Sequence, residues 1–345
     1  MTATPVLSSG VSFAHLFRLS DGGGLFEHAR FTEPRTEHGY CVDDIARGLV
    51  VVAREPTPPA PLRALAGLYL DLVVDAQSDD GRFHNRRDLH LRWTDRPSLE
   101  DCWGRALWGL GTAAARLPVA DARADRALRH FERGAHRRSP HLRAMAFAAL
   151  GAAEVVRRWP GHAAARRLLA DAADRVVGQL PADTSWPWPE SRLRYANGSV
   201  PEVLVAAGTL LEVPALVERG LALLSWLVGV ETAGDHLSLT PWNGWQPGEP
   251  RPGFDQQPIE VAALADACGR VYDLTGDRRW ADTLGRCRAW FLGANDTGIV
   301  LLDATSGGGC DGLKQDGRNE NQGAESTMAL ISTFQRCAAA GLTLP

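Results

Sequence analysis

Apolar residues recur at helical spacing through most of this chain, in segments separated by polar breaks that contain glycine or proline. The pattern predicts helices over residues 12–19, 40–54, 62–77, 98–116, 121–133, 140–157, 162–179, 199–212, 215–229, 257–274, 277–292 and 323–340. Strand signals are confined to the connections, where alternation over 83–93 predicts a short hairpin. We therefore predict an all-α fold.

The connections between these helices differ in length in a regular way. Those at 55–61, 117–120, 158–161, 213–214 and 275–276 are short, whereas those at 78–97, 180–198, 230–256 and 293–322 are long, with 134–139 as an exception. Pairing helices across the short breaks gives six hairpins, if the first helix pairs with the last. Should these hairpins close into a ring, the long loops would share one face with the N-termini of the inner helices. Long ordered loops commonly carry function, so we expect one domain, 1–345, with its site on that face.

Composition and charge exclude several classes of protein. Hydrophobic residues make up 45% of the chain, enough for a large helical core. Lys and Arg total 37 against 41 Asp and Glu, which argues against a nucleic-acid surface, and the apolar stretches are too short for a membrane span. The six cysteines lack metal-site spacing and the N-terminus lacks signal-peptide features, so we expect reduced thiols and a cytoplasmic location.

Acidic pairs stand at the starts of two predicted inner helices. Asp43 and Asp44 lie in the first turn of one helix, with Arg47 spaced for an ion pair to Asp44. Adjacent helical positions point about 100° apart, so we expect only one of these aspartates to face the centre of the ring. Glu100 and Asp101 repeat the arrangement, where a capping box from Ser98 is the structural alternative.

Amides and carboxylates are concentrated at two further junctions. The segment 311–327 contains Asn319, Glu320, Asn321 and Glu325, and we predict a loop that ends where Ser326 or Thr327 caps a helix. The preceding junction contains Gln256, Gln257 and Glu260 around Pro258. Side-chain amides donate and accept hydrogen bonds, which suits the recognition of sugar hydroxyls.

Tryptophans held by prolines form the most distinctive fragment, Trp186-Pro-Trp188-Pro-Glu190, which Asn197 follows. Such rings could stack on the apolar faces of sugars, and Trp242 and Trp245 repeat the feature in another long loop. The structural alternative is a loop that folds its own aromatic rings into a local cluster.

This layout resembles the six-hairpin toroid, the (α/α)6 barrel of many glycosidases and sugar epimerases. The segments 39–44, 186–190, 256–260 and 321–325 also resemble those of bacterial proteins associated with glycosyltransferases. The resemblance implies a carbohydrate substrate, a glycosyltransferase as a partner, and hydrolysis with inversion, as is common among six-hairpin glycosidases.

The function expected from these observations is hydrolysis of an oligosaccharide or polysaccharide by a pair of carboxyl groups. Glu190 or Glu325 is the candidate acid, and Asp44 or Glu260 is the candidate base. The candidate substrate-binding residues are His38, Tyr40, Asp43, Glu100, Asp101, Trp186, Trp188, Asn197, Trp242, Trp245, Gln256, Gln257, Asn319, Glu320 and Asn321.

Two alternatives from other functional classes stay open. A sugar epimerase on the same fold would need two imidazoles in the pocket, with His38 foremost. A non-catalytic glycan-binding partner of a glycosyltransferase would need neither imidazoles nor an acid pair. We expect no cofactor and no dedicated metal site, although a calcium ion held by loop carboxylates stays open.

Overall fold

The computed structural model describes residues 11–118, 120–181 and 185–342, and it confirms the all-α fold. Its α-helices are α1 (Ala14–Arg18), α2 (Val42–Arg54), α3 (Ala60–Asp75), α4 (Asp101–Arg116), α5 (Ala122–Ala135), α6 (Leu142–Arg158), α7 (Ala163–Gln179), α8 (Ser199–Leu210), α9 (Pro214–Val230), α10 (Pro258–Thr275), α11 (Arg278–Phe291) and α12 (Ala324–Ala339). Each predicted helix has a counterpart in the structure, because apolar residues that repeat at helical spacing over a long segment are a strong signal of an α-helix.

Two predicted helix N-caps are wrong. Helix α4 begins at Asp101 with Glu100 as its N-cap, and Ser98 Oγ accepts a hydrogen bond from the Glu100 N–H at 3.3 Å instead of capping the helix. Helix α12 begins at Ala324 with Gly323 as its N-cap. Ser326 and Thr327 therefore lie inside α12 and are buried, so neither caps it.

The inner helices form a closed ring. In order around the ring they are α2, α4, α6, α8, α10 and α12, and α12 packs back on α2. Helices α3, α5, α7, α9 and α11 pack outside, each on the inner helix before it, and the short α1 lies against α12. The inner helices are shielded by both neighbours and the outer layer, which explains why α6 is buried over most of its length.

Glycines allow α4 and α6 to approach closely. A methyl group at Gly104 would lie 2.2 Å from the carbonyl oxygen of Ala144, and one at Gly151 would lie 2.1 Å from that of Leu107. Both distances are far inside van der Waals contact, so side chains at these positions would force the two helices apart.

A buried ionic network links the inner helices in the interior of the ring. Arg54 of α2 donates hydrogen bonds to Asp266 of α10 and to Ser332 of α12, both at 2.9 Å. Arg270 of α10 donates to Glu202 of α8 at 2.8 Å. These contacts tie α2, α8, α10 and α12 to one another.

The strands are short and lie in the connections. They are β1 (Ser20–Asp21), β2 (Gly24–Leu25), β3 (Ala29–Arg30), β4 (Glu33–Pro34), β5 (Tyr40–Cys41), β6 (Arg86–Arg87), β7 (Thr232–Ala233), β8 (His236–Leu237), β9 (Gly312–Lys314) and β10 (Gly317–Asn319). They pair antiparallel as β1–β2, β3–β4, β5–β6, β7–β8 and β9–β10.

Two hairpins shape the long-loop face. The predicted loop over 311–327 contains the β9–β10 hairpin, which the sequence did not predict. The predicted short hairpin over 83–93 is present as a bridge between Arg87 and Trp93, with the Asp88 N–H donating to the Arg92 carbonyl and the Thr94 N–H to the Arg86 carbonyl, both at 3.0 Å, and β6 also pairs with β5. The β5–β6 pairing brings the 78–100 connection, including Asn85, beside the start of α2.

Two smaller observations concern the expectations on thiols and membranes. All six cysteines are described, buried and free of disulfide bonds. Among the described residues, no helix combines the length and hydrophobicity needed to cross a bilayer.

Candidate functional site

A polar pocket of about 420 Å³ lies on the long-loop face, where α2 and α12 begin. We call it the acidic pocket. It is lined by Glu27, His28, Cys41, Asp43, Asp44, Arg47, Asn85, Arg86, Gln257, Asp311, Asn319, Asn321, Gly323, Glu325 and Ser326. It therefore brings together residues from 27 to 326, which are far apart in the sequence.

Arg47 gathers three carboxylates in this pocket. Its Nη1 donates to Asp44 Oδ1 at 2.9 Å and pairs with Glu325 Oε2 at 2.6 Å, while its Nη2 donates to Asp43. The predicted contact between Asp44 and Arg47 is present, as a hydrogen bond from the guanidinium to the carboxyl oxygen. Both aspartates line the acidic pocket, since Arg47 is placed three and four residues beyond them and reaches both.

The shared guanidinium nitrogen limits the separation of Asp44 and Glu325. Because their oxygens lie 2.9 and 2.6 Å from the same Nη1 atom, the two oxygens are at most about 5.5 Å apart. This contact joins α2 to α12 across the closure of the ring.

Asp44 is buried, with 3% of its surface exposed. Burial is the largest influence and raises the pKa of its carboxyl to about 8, although the positive charge of Arg47 acts in the opposite direction. Asp44 therefore holds a proton at neutral pH. Burial also raises the pKa of Asp311, whose Oδ1 accepts a hydrogen bond from the Gly323 N–H at 2.7 Å.

The pocket also contains one group of potential metal ligands, but its chemistry does not favour a resident ion. Glu27, Cys41 and Asp44 each offer one ligand atom, and these atoms lie within 4.8 Å of one another. Burial raises the pKa of the Cys41 thiol, which keeps it protonated, and Arg86 already pairs with Glu27. Since metal binding requires the thiolate, we assign no metal to these three residues.

A second pocket of about 650 Å³ lies beside the acidic pocket and shares Asn85 with it. It occupies the starts of α4 and α6 and contains three predicted site residues, Glu100, Asp101 and Glu190. The predicted site residues in the acidic pocket are Asp43, Asp44, Gln257, Asn319, Asn321 and Glu325. The structure thus divides the expected single site into two adjoining pockets.

Glu260 lies in neither pocket, and its carboxylate is hydrogen-bonded within the protein. Its carboxylate accepts from the Ala196 N–H at 2.5 Å, and from the backbone and side-chain amides of Asn197 at 3.1 and 3.0 Å. Burial raises its pKa to about 8, with the charge of Glu231 contributing in the same direction. Its assignment as a candidate base is not supported, because the carboxylate faces the turn that leads into α8.

Three other predicted binding residues are buried as structural groups. Gln256 bonds Asp296 at 2.5 Å and accepts from Trp290 Nε1 at 3.3 Å. Tyr40 stacks on Phe26, with its hydroxyl bonded to Asp21 at 3.0 Å. Asn197, in addition to its bonds with Glu260, accepts from Arg143 Nη2 at 3.0 Å.

Three of the four predicted tryptophans, Trp186, Trp188 and Trp245, join Trp226 in a local cluster. Trp188 is 1% exposed and stacks on Trp226 of α9, with ring centroids 5.8 Å apart. Trp186 meets Trp226 edge-on at 5.1 Å and lies 6.0 Å from Trp245. Trp242 is 67% exposed but lies outside both pockets. The structure therefore contradicts the platform hypothesis for Trp188, whose faces are covered by the protein.

The last two predicted residues lie outside both pockets. His38 is edge-on to His28, with ring centroids 5.0 Å apart, and only His28 lines the acidic pocket. Glu320 pairs with Arg318 at 3.0 Å.

Sequence reasoning did not assign Glu27, His28, Asn85 or Asp311 to the site. Asp311 belongs to the amide-rich segment and could have been found there. The other three are isolated in irregular connections, where no periodicity marks them.

Neither a family model nor a curated protein matches this chain. Solved structures match it over nearly its whole length. A cellobiose 2-epimerase from Bacillus thermoamylovorans B4167 matches with TM-score 0.73 and 10% identity over 96% of each chain. This chain is an (α/α)6 toroid. A sugar epimerase from a ruminal bacterium matches with TM-score 0.70 and 12% identity over 96% of each chain.

A GH76 α-mannanase from Bacteroides thetaiotaomicron also matches the toroid, with TM-score 0.67 and 10% identity over 95% of this chain and 93% of that one. At these identities the similarity establishes the architecture, and the chemistry must be argued from the site itself.

Proposed function

We propose that this toroid is a glycoside hydrolase of oligosaccharides or polysaccharides, with Asp44 as the proton donor and Glu325 as the second carboxylate. The observation that carries the proposal is the meeting of these two carboxyl groups on Arg47 in a polar pocket. The fold supports it, because the similar solved structures include a mannanase as well as epimerases.

The two carboxyl groups have the different environments that glycoside hydrolysis requires. A general acid must hold a proton at working pH, as the buried Asp44 does with its pKa raised to about 8. Glu325 forms an ion pair with Arg47, and 36% of its side chain is exposed, so substrate can reach it. One acid is therefore protonated and enclosed, while the other is paired with Arg47 and accessible.

The separation of the pair indicates the stereochemistry. Retaining glycosidases have carboxyl groups about 5–5.5 Å apart, whereas inverting ones need about 6.5–9.5 Å to accommodate a water molecule. The limit of about 5.5 Å applies to one pair of oxygens, Asp44 Oδ1 and Glu325 Oε2, and it lies nearer to the retaining spacing than to the inverting one. The proposal therefore departs from the inversion that the family resemblance implies.

The proposed reaction has two displacements. Glu325 attacks the anomeric carbon while the bond to the leaving oxygen breaks, and that oxygen takes the proton of Asp44. Water then attacks the anomeric carbon and passes a proton to the Asp44 carboxylate. The bond between sugar and Glu325 breaks, which restores both side chains.

An epimerase remains the second candidate, because two of the similar structures carry that description. Proton transfer by a pair of imidazoles would require two histidines in one pocket. The acidic pocket is lined by His28 alone among the described histidines, and His141 lines the second pocket. The carboxyl pair therefore has more support than an imidazole pair.

The test is incubation with gluco-, manno-, galacto- and arabino-oligosaccharides, with products followed by mass spectrometry and proton NMR. Shortened products with the initial anomer retained, absent in Asp44→Asn and Glu325→Gln variants, would support the proposal. An inverted anomer would remove Glu325 from the role of nucleophile. Unchanged mass with altered configuration would indicate an epimerase, and binding without conversion would indicate a glycan-binding partner, for example of a glycosyltransferase.

A further inference from the structure

We infer that the second pocket is a separate sugar-binding subsite, so that the protein binds a neutral or basic oligosaccharide that spans both pockets. This inference rests on the proposed carbohydrate function of the acidic pocket. It adds the length and the charge class of the substrate.

The two pockets meet at a residue held in place from both sides. Asn85 lines both pockets, and its Oδ1 accepts from the backbone N–H of Asp43 at 3.0 Å. Its own backbone N–H donates to Asp95 Oδ2 at 2.7 Å. A chain of sugars that occupies the acidic pocket can therefore continue past Asn85 into the second pocket.

Two of the three carboxylates of the second pocket, Asp101 and Glu190, are held in position before any ligand arrives. Asp101 Oδ2 accepts from the hydroxyl of Tyr195 at 2.6 Å. Glu190 Oε2 accepts from Arg143 Nη1 at 2.6 Å, and Arg143 Nε also donates to the Tyr195 carbonyl at 2.8 Å. A carboxylate has about four lone-pair sites, so each keeps acceptors for sugar hydroxyls. Pre-positioned groups lose little conformational entropy when they bind.

Arg143 is the anchor of this arrangement. Its side chain is 3% exposed and joins α6 to the loop that carries Glu190 and Tyr195. A buried guanidinium with several acceptors fixes that loop against the start of α6. It is a positioning residue, since each of its three nitrogens already donates a hydrogen bond within the protein.

The charge of the combined surface selects among sugars. Without the protonated Asp44, acidic side chains still outnumber arginines by seven to four over the two pockets. Uronic acids and phosphorylated sugars would bring further negative charge into this surface and be repelled. Neutral sugars avoid that penalty, and amino sugars would be attracted.

The experiment measures binding on a Glu325→Gln background, so that turnover does not consume the ligand. The probes are gluco- and manno-oligosaccharides of two to five units, with Kd measured by titration calorimetry. We expect affinity to rise by about tenfold or more at one step of chain length, as the added sugar forms a hydrogen bond to a charged group.

Two variants test whether that step belongs to the second pocket. Glu100→Ala removes an exposed carboxylate at the N-cap of α4, and Tyr195→Phe removes only the hydroxyl that holds Asp101. Both should lose most of the step. Glu218→Gln, an equal change of charge on the exposed surface of α9, should keep it.

The outcomes separate this inference from the proposed hydrolysis. A step that persists in both variants, or equal binding of matched glucuronate-containing oligomers, would overturn the subsite. A clear step in a protein that turns over no substrate would support the subsite and refute the hydrolase. Turnover of substrate without any step in affinity would support the hydrolase and refute the subsite.

Discussion

Replacing Asp44 with asparagine should make the protein more stable while it removes the proposed acid. At neutral pH the folded protein already holds Asp44 in its protonated form, because burial raises its pKa to about 8. An asparagine is also neutral and keeps an oxygen that can accept from Arg47. The substitution therefore removes little from the folded state.

The gain in stability arises in the unfolded chain. There the carboxyl returns to its ordinary pKa of 3.8, against about 8 in the fold. One pKa unit corresponds to about 1.4 kcal/mol, so at pH 7 ionisation favours the unfolded chain by about 4 kcal/mol. The pKa of Asp44 is higher in the folded protein than in the unfolded chain. The carboxyl group therefore stabilises the fold fully at pH values below its unfolded-state pKa, and this contribution to the unfolding free energy is lost as pH rises through its folded-state pKa. The Asp44→Asn variant has no carboxyl group at this position and so does not lose stability in this way.

The assay is urea denaturation of the wild type and of Asp44→Asn at pH 5, 6, 7 and 8. The difference in unfolding free energy should grow with pH and favour the variant by about 4 kcal/mol at pH 7. Parallel pH dependences in the two proteins would refute the reasoning.

The matched control is Asp43→Asn, the neighbouring carboxylate. Asp43 Oδ1 lies 3.1 Å from Arg105 Nε, and the Arg105 side chain is 3% exposed. Its loss leaves a buried guanidinium without its charge partner, which costs about 3–5 kcal/mol. Opposite signs for the two adjacent aspartates would show that burial, and not charge removal in general, governs the Asp44 effect.

Further predictions concern activity and packing. The turnover rate should fall above about pH 8 as Asp44 loses its proton, and a rate that still rises at pH 9 would contradict Asp44 as the acid. Glu325→Gln should lower kcat by at least about a hundredfold. The His28→Ala variant should still form the hydrolysis product, and loss of that product would indicate imidazole chemistry. Trp188→Ala should lower the unfolding free energy by about 3–5 kcal/mol, and Trp242→Ala by less than about 0.5 kcal/mol, both measured by denaturation. An equal loss in the two tryptophan variants would contradict the buried cluster.

The sequence by itself determined the helices and their arrangement in hairpins. Helical periodicity is a local property, and the alternation of short and long connections is visible without any contact. Asp43, Asp44 and Arg47 could also be recognised, because their spacing within one helix sets their proximity.

The tertiary structure decided which of the polar junctions became a site. Trp188 turned inward because Trp226, from another helix, covers it, and Glu260 turned toward the start of α8. Arg47 reached Glu325 only because α12 closes the ring against α2. Such contacts depend on packing between distant segments, and no pattern within either segment records them. The same closure buries Asp44 and raises its pKa, which is the property that separates an acid from an ordinary helix-capping aspartate.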